Sequence, residues 1–182
     1  MKEKQLNKKE NNIIYVFKQI IYALFVVFIL VTIFSFSNEV ADKSSSTSAK
    51  VIEGTIKMIE PKITQEKLNL KISILQPIIR KCAHFTLYAA LGFFTYNFVR
   101  TIRSKIIKNR ENTTKTFLIA SQIFCTTYSL TDEIHQMFIP GRSGEIRDIL
   151  IDSLGAFFGI LICIVFLRLV GKIITNINKQ KN

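Results

Sequence analysis

Four stretches of the chain run without a Lys or Arg: Gln19–Phe36, Cys82–Val99, Thr116–Thr131 and Ile149–Leu167. His84 alone interrupts the apolar character of the second with an ionisable group, and Asp152 alone that of the fourth. A helix needs about 17–25 residues to cross the hydrocarbon of a bilayer, and each stretch is close to that length. An amphipathic helix on a soluble core would show charges on its far face every three or four residues, and these stretches do not. The pattern predicts an all-α, polytopic membrane protein with four transmembrane helices.

Between the first two stretches lies the only long connection, from Ser37 to about Ile79. It opens with the helix-entry composition Ser44-Ser-Ser-Thr-Ser48. Val51, Ile52, Thr55, Ile56 and Ile59 then recur at helical spacing, with Lys50, Glu53, Lys57 and Glu60 opposite. Pro61 ends the pattern. An amphipathic helix in the outer loop is therefore predicted, lying on the membrane surface or over the mouth of the bundle. Pro77 is expected in the first turn of the second transmembrane helix, where its missing N–H costs nothing.

Charge then orients the bundle. The chain of 182 residues has 25 Lys and Arg against 13 Asp and Glu, a net charge of +12. The segments before the first stretch, between the second and third, and after the fourth carry fifteen basic residues against three acidic ones. The other side holds ten of each, with Asp152 counted there. Basic residues concentrate on the cytoplasmic face of membrane proteins, which places both termini in the cytoplasm. Topology thus accounts for the basic character, and no nucleic-acid partner is expected. Abundant Ile, Leu, Val and Phe exclude a disordered chain. The three cysteines, Cys82, Cys125 and Cys163, lie in apolar stretches and exclude a disulfide scaffold. The first apolar run is longer than the core of a cleaved signal peptide, so an uncleaved helix is expected despite the Ser35-Phe-Ser37 that ends it. The chain divides into a basic cytoplasmic N-terminus (1–18), a four-helix membrane domain (19–169) and a basic cytoplasmic tail (170–182).

With this topology, three helix ends deliver polar groups to one depth on the extracytoplasmic side. Arg80, His84 and Tyr88, spaced four apart, form one stripe down the second helix, with Lys81 beside them. The third helix ends in Asp132-Glu133-Ile-His135-Gln136. The loop Phe138–Gly144 carries Arg142, and the fourth helix enters with Arg147-Asp148 and, a turn deeper, Asp152. Ionisable groups in a membrane are costly and normally face inward and pair. One reading is an ion-pair network that fixes helix packing; the other is an outward-opening polar pocket. The variety of groups favours the pocket. Arg80, Lys81, Arg142 and Arg147 suit a phosphate or carboxylate, and His84 or His135 beside Asp152 could serve as an acid–base pair. Ser143 and Ser153 have no base fixed beside them and are weak nucleophile candidates. His84, His135, Asp132, Asp148 and Asp152 could ligate a metal, but no helix carries a two-histidine motif and no cysteine pair exists. No metal and no cofactor are therefore expected. Gly155-Ala-Phe-Phe-Gly159 permits close helix approach, either inside the bundle or across a homodimer.

These residues also carry a resemblance. Arg80-Lys-Cys-Ala-His-Phe-Thr-Leu-Tyr88, with Leu91-Gly92, resembles the first signature of the VanZ-like family. Ser129–Gln136, Pro140–Gly144 and Asp148–Gly155 together resemble its second. Phe34–Asn38 is similar to the serine-rich end of that family's first helix, departs from it at a Phe and an Asn, and is assigned no role. The resemblance spans about Ile20 to Leu169. It implies a multi-pass protein of the bacterial cytoplasmic membrane, in a family named for low-level teicoplanin resistance and without one shared biochemical activity. The family's signature positions carry over to Arg80, Lys81, His84, Tyr88, Asp132, Glu133, His135, Gln136, Arg142, Asp148 and Asp152. The expected function is binding or modulating an anionic envelope component, a lipid-linked or cell-wall precursor headgroup, at the outer leaflet. The alternatives are a membrane enzyme acting on such a headgroup and a structural module without a ligand.

Overall fold

A computed structural model describes residues 2–38, 41–103, 113–142 and 144–180. Glu39, Lys105, Lys108, Arg110, Glu111 and Lys181, which contribute to the charge asymmetry, and Ser143 lie outside the described residues. Five helices and no strand are present among those described: α1 (Lys2–Ser37), α2 (Ala41–Ile59), α3 (Gln65–Arg103), α4 (Thr113–Gln136) and α5 (Ile146–Gln180). Helix α3 is the hub, packing along α5 most extensively and also against α1, α4 and α2.

Two helices, in the segments Asn12–Ser37 and Ile146–Gln180, are long and apolar enough to cross a membrane. The other two expected spans fall in α3 and α4. Polar residues lower their apolar character, including Thr95 and Asn97 in α3 and Ser121 and Ser129 in α4, and these four side chains are buried. The outward faces of α1 and α5 are covered with exposed large apolar residues, among them Leu24, Phe28, Val31, Leu154, Phe158 and Val165. Large apolar residues thus face out along these helices, while several polar side chains, Asp132, Glu133 and Asp152 among them, are buried.

The long connection after α1 is helical over most of its described residues. In α2, Ile52 and Ile56 bury against Leu68 of α3, whereas Val51 and Ile59 are exposed. The chain leaves the helix just before Pro61. Helix α3 starts at Gln65, so Pro77 lies well inside it and not in its first turn. The reason is that Leu68, Ile72 and Leu75 join the α2 contact, which extends the helix past a residue that supplies no backbone N–H.

Helices α3 and α5 meet backbone to backbone. A Cβ added at Gly159 would stand 1.8 Å from the Ala89 carbonyl oxygen, and one at Gly155 would stand 2.5 Å from that of Phe85. On the opposing helix, a Cβ at Gly92 would reach 2.2 Å from the Ala156 carbonyl oxygen. The face read as a candidate dimer surface at Gly155 and Gly159 is thus occupied by α3 of the same chain. Around this seam, Val26, Ile29 and Ile33 of α1 pack with Tyr88, Leu91, Cys125 and Ala156. Polar ties cross the bundle: Tyr128 Oη donates to Leu30 O at 2.8 Å, and Gln19 Nε2 to Thr101 O at 3.1 Å. Such bonds help hold helices together where apolar burial supplies little drive.

Candidate functional site

The site begins at the end of α4. Arg142 N–H donates to Ile139 O at 3.1 Å, closing a turn with Pro140 and Gly141 at its centre. Gly141 has φ 77°, the left-handed geometry that a type II turn demands after proline. The turn delivers Arg142 to the end of α1, where its Nη2 donates to Phe36 O at 2.9 Å. The last carbonyls of a helix lack partners and carry partial negative charge, so a guanidinium suits them. The chain then enters α5 after Glu145, whose N–H donates to Glu133 Oε2 at 2.9 Å and whose carbonyl accepts from Asp148 N–H at 2.9 Å.

A cavity of about 220 Å³ opens between these parts. Arg80, Lys81 and His84 of α3 line it, with Glu133 and Gln136 of α4, Gly141, Arg142 and Glu145 of the connection, and Asp148, Ile151 and Asp152 of α5. Pro77 completes the wall. Three cationic side chains therefore face four carboxylates. Lys81 is hydrogen-bonded to Asp148 and stands 3.6 Å from Glu145. The Asp148 carboxylate raises the Lys81 pKa above the ordinary lysine value. Burial raises Glu133 above the ordinary glutamate value, opposed by the Glu145 N–H. Among the described residues Arg80 has no carboxylate partner, and Arg142 Nη2 is bonded to the Phe36 carbonyl oxygen.

Beneath the cavity lies a buried polar cluster. His84 Nδ1 is 3.8 Å from Asp152 Oδ1. Ser129 Oγ donates to Asp152 Oδ2 at 3.0 Å. Asp132 Oδ2 accepts from Ser37 Oγ at 2.8 Å and from Gln136 Nε2 at 3.2 Å. Helices α1, α3, α4 and α5 each contribute, so the cluster exists only when all four are in place.

Of the residues selected from the sequence, Arg80, Lys81, His84, Glu133, Gln136, Arg142, Asp148 and Asp152 line the cavity. Asp132 sits beside His84 and Asp152, with ligand-type atoms of all three within 4.8 Å of one another. Tyr88 is fully buried in the core cluster rather than on the cavity wall. His135 stacks on Phe34 with ring centroids 5.0 Å apart and is not a lining residue. Arg147 is exposed outside the lining set. Three polar participants were not selected: Ser37, Ser129 and Glu145. Ser37 lies in the serine-rich end of the first helix, whose similarity to a family signature was the signal that could have found it. Ser129 opens the stretch that resembles the second signature, but the chemistry of a serine in an apolar helix gives no warning of its own, since it is compatible with almost any environment.

A family model described as VanZ/LLP1 matches residues 20–167. Neither a search of curated proteins nor one of solved structures produced a match.

Proposed function

The chain belongs to the VanZ/LLP1 family, and from that premise and the cavity's chemistry we propose that it is a multi-pass protein of a bacterial cytoplasmic membrane that binds the anionic headgroup of an envelope lipid or cell-wall precursor. In this reading α1, α3, α4 and α5 cross the bilayer, the basic termini and the α3–α4 connection lie in the cytoplasm, and the cavity opens on the extracytoplasmic side. The charge asymmetry of the connecting segments supports that orientation. The observation that carries the ligand class is Arg80, a cation on the cavity wall without a carboxylate partner among the described residues. Lys81 is engaged by Asp148 and Arg142 Nη2 by the Phe36 carbonyl, and Arg80 on the same wall can meet an incoming phosphate or carboxylate.

Size supports a headgroup over a whole antibiotic. The cavity, about 220 Å³, is below the roughly 300–1,000 Å³ of pockets that enclose drug-sized molecules. An effect on glycopeptide susceptibility would then follow from holding a lipid-linked precursor, not from capturing the drug. The proximity of His84 to Asp152, 3.8 Å between Nδ1 and Oδ1, favours a second reading, in which the same headgroup is the substrate of acid–base chemistry.

Lipid mass spectrometry on purified protein tests the binding reading. Wild-type protein is expected to retain one anionic envelope lipid selectively, and Arg80→Gln to lose it while melting normally. Equal, unselective lipid in both would defeat the proposal. Turnover of the retained lipid, abolished in His84→Gln, would select the enzyme reading. Orientation is tested separately by labelling Phe138→Cys, at a site 79% exposed beside the cavity mouth, in a background lacking the three native cysteines. A membrane-impermeant maleimide should label it in intact cells; labelling only after lysis would reverse the topology.

A further inference from the structure

Two carboxylates are buried at the floor of the cavity, Asp132 at 4% and Asp152 at 1% exposure. A buried carboxylate without a compensating charge is costly. The hydrogen-bond donors that hold them are neutral: Ser37 and Gln136 on Asp132, and Ser129 on Asp152. Ser129 occupies Oδ2 of Asp152, and the shielded Oδ1 has no hydrogen-bond partner. That oxygen faces His84 Nδ1 across 3.8 Å, beyond hydrogen-bond reach. A gap between complementary groups, where packing could have closed a bond, is what a shared central ligand leaves.

The distances fit an ion. Imidazole nitrogen and carboxylate oxygen bind zinc at about 2.0–2.2 Å, so two ligands of one ion stand no more than about 4.4 Å apart. The 3.8 Å separation of His84 and Asp152 falls within that limit. The ligand atoms of His84, Asp132 and Asp152 all lie within 4.8 Å of one another, close enough for modest side-chain adjustment to bring all three onto one ion. We infer that His84, Asp132 and Asp152 form a binding site for one divalent cation of borderline hardness, Zn²⁺ or Mn²⁺. A neutral imidazole and two carboxylates present two negative charges, which such an ion cancels. Imidazole suits zinc and carboxylates suit manganese. Ser37, Gln136 and Ser129 are positioning residues that orient the carboxylates. The three ligands come from α3, α4 and α5, so no spacing within one segment announces the site.

Three protein ligands leave a further coordination position, as in zinc sites that accept an exogenous ligand. On this point the inference rests on the headgroup reading: an anionic oxygen in the cavity would take that position. With Asp132 counted, the ion would take the cavity and its floor from two excess negative charges to neutrality.

Isothermal titration of the full chain, purified in detergent, stripped with chelator and free of added lipid, tests the site with ZnCl₂ and MnCl₂. One ion per chain is expected. His84→Gln and Asp152→Asn should weaken it by about 100-fold or more, and Ser129→Ala by about tenfold or more. Cys82→Ser, which removes an exposed thiol outside the cluster, should leave affinity unchanged. The inference fails if cooperatively melting wild-type protein binds neither ion. It also fails if His84→Gln binds as wild type does, or if Cys82→Ser abolishes binding. Ser129→Ala removes one hydroxyl only and keeps the test decisive if a ligand variant does not fold. Measuring retained lipid with and without chelator separates the two readings: selective lipid without any metal binding removes the ion alone, and metal binding without selective lipid removes the headgroup alone.

Discussion

Helices α3 and α5 meet twice, under opposite rules. Along their middle, Gly92, Gly155 and Gly159 bring the backbones together with no side chain between them. About a turn from Gly155 toward the cavity, the same helices present His84 and Asp152, 3.8 Å apart and unbonded. The first region is filled as tightly as covalent geometry permits, and the second holds a gap between groups that could pair. The seam makes the gap sustainable. Helices pinned by backbone contact cannot slide to relieve a buried carboxylate, so the polar end can remain poised for a ligand. Close packing is concentrated at the glycines, and the proposed binding capacity in the ionisable residues.

The largest effect should come from the seam. Gly159→Ala places a Cβ 1.8 Å from a backbone oxygen, a clash that no side-chain rotation relieves. Overpacking of this kind costs about 1–3 kcal/mol, and a rigid backbone contact belongs at the upper end. Reversible unfolding in mixed micelles should show that loss. Selective lipid retention should fall with it, although no cavity residue has changed. A variant as stable as wild type would mean that the helices are free to separate, and the contrast between the regions would collapse.

Next comes the tether between α1 and the polar end. Ser37, fully buried, donates to Asp132 Oδ2 at 2.8 Å. Hydrogen bonds to charged groups contribute about 1.5–3 kcal/mol, and Ser37→Ala should cost about 2 kcal/mol by removing a donor from a buried carboxylate. Ser35→Ala, on the opposite face of the helix and bonded to its own helix at Val31 O, should cost less than about 0.5 kcal/mol as an exposed substitution. Equal losses in the two would show that the Asp132 contact carries no special weight.

The unequal visibility of these regions in the sequence follows from the same physics. Long gaps between basic residues announce apolar helices, and the charge of the intervening segments suggests an orientation, because both are averages over many residues. His84 and Asp152 were legible as individuals because an ionisable group in an apolar stretch needs a reason. Ser37 and Ser129 were not, since a serine can turn back on its own helix as readily as it can serve a carboxylate. Glu145 was hidden by its loop, where acids are ordinary. The position of Pro77 was misread because its preference for a first turn is local, whereas the helix around it is extended by burial of Leu68 with Ile52 and Ile56 of α2. His135 was selected for its type and its neighbours in sequence; the rotation of α4 sends it to Phe34 instead.

The smallest effect expected at the polar end has the opposite sign. Asp152 is 1% exposed, one of its oxygens has no hydrogen-bond partner, and Asp132 and Glu133 are also buried in this end of the bundle. Replacing it with Asn keeps the shape and an oxygen for Ser129, and removes a charge whose desolvation nothing seen at that oxygen offsets. In chelator-treated protein, Asp152→Asn should therefore raise stability, by about 1 kcal/mol, as relief of one poorly compensated polar group. With Zn²⁺ or Mn²⁺ present, the order should reverse, because the ion stabilises only the form that binds it. A gain of stability coupled to a loss of ligand is the mark of a residue kept for binding rather than for folding. Melting the two proteins with and without metal decides it: a variant less stable than wild type under both conditions would make Asp152 a packing residue, and the polar end would then obey the same rule as the glycine seam.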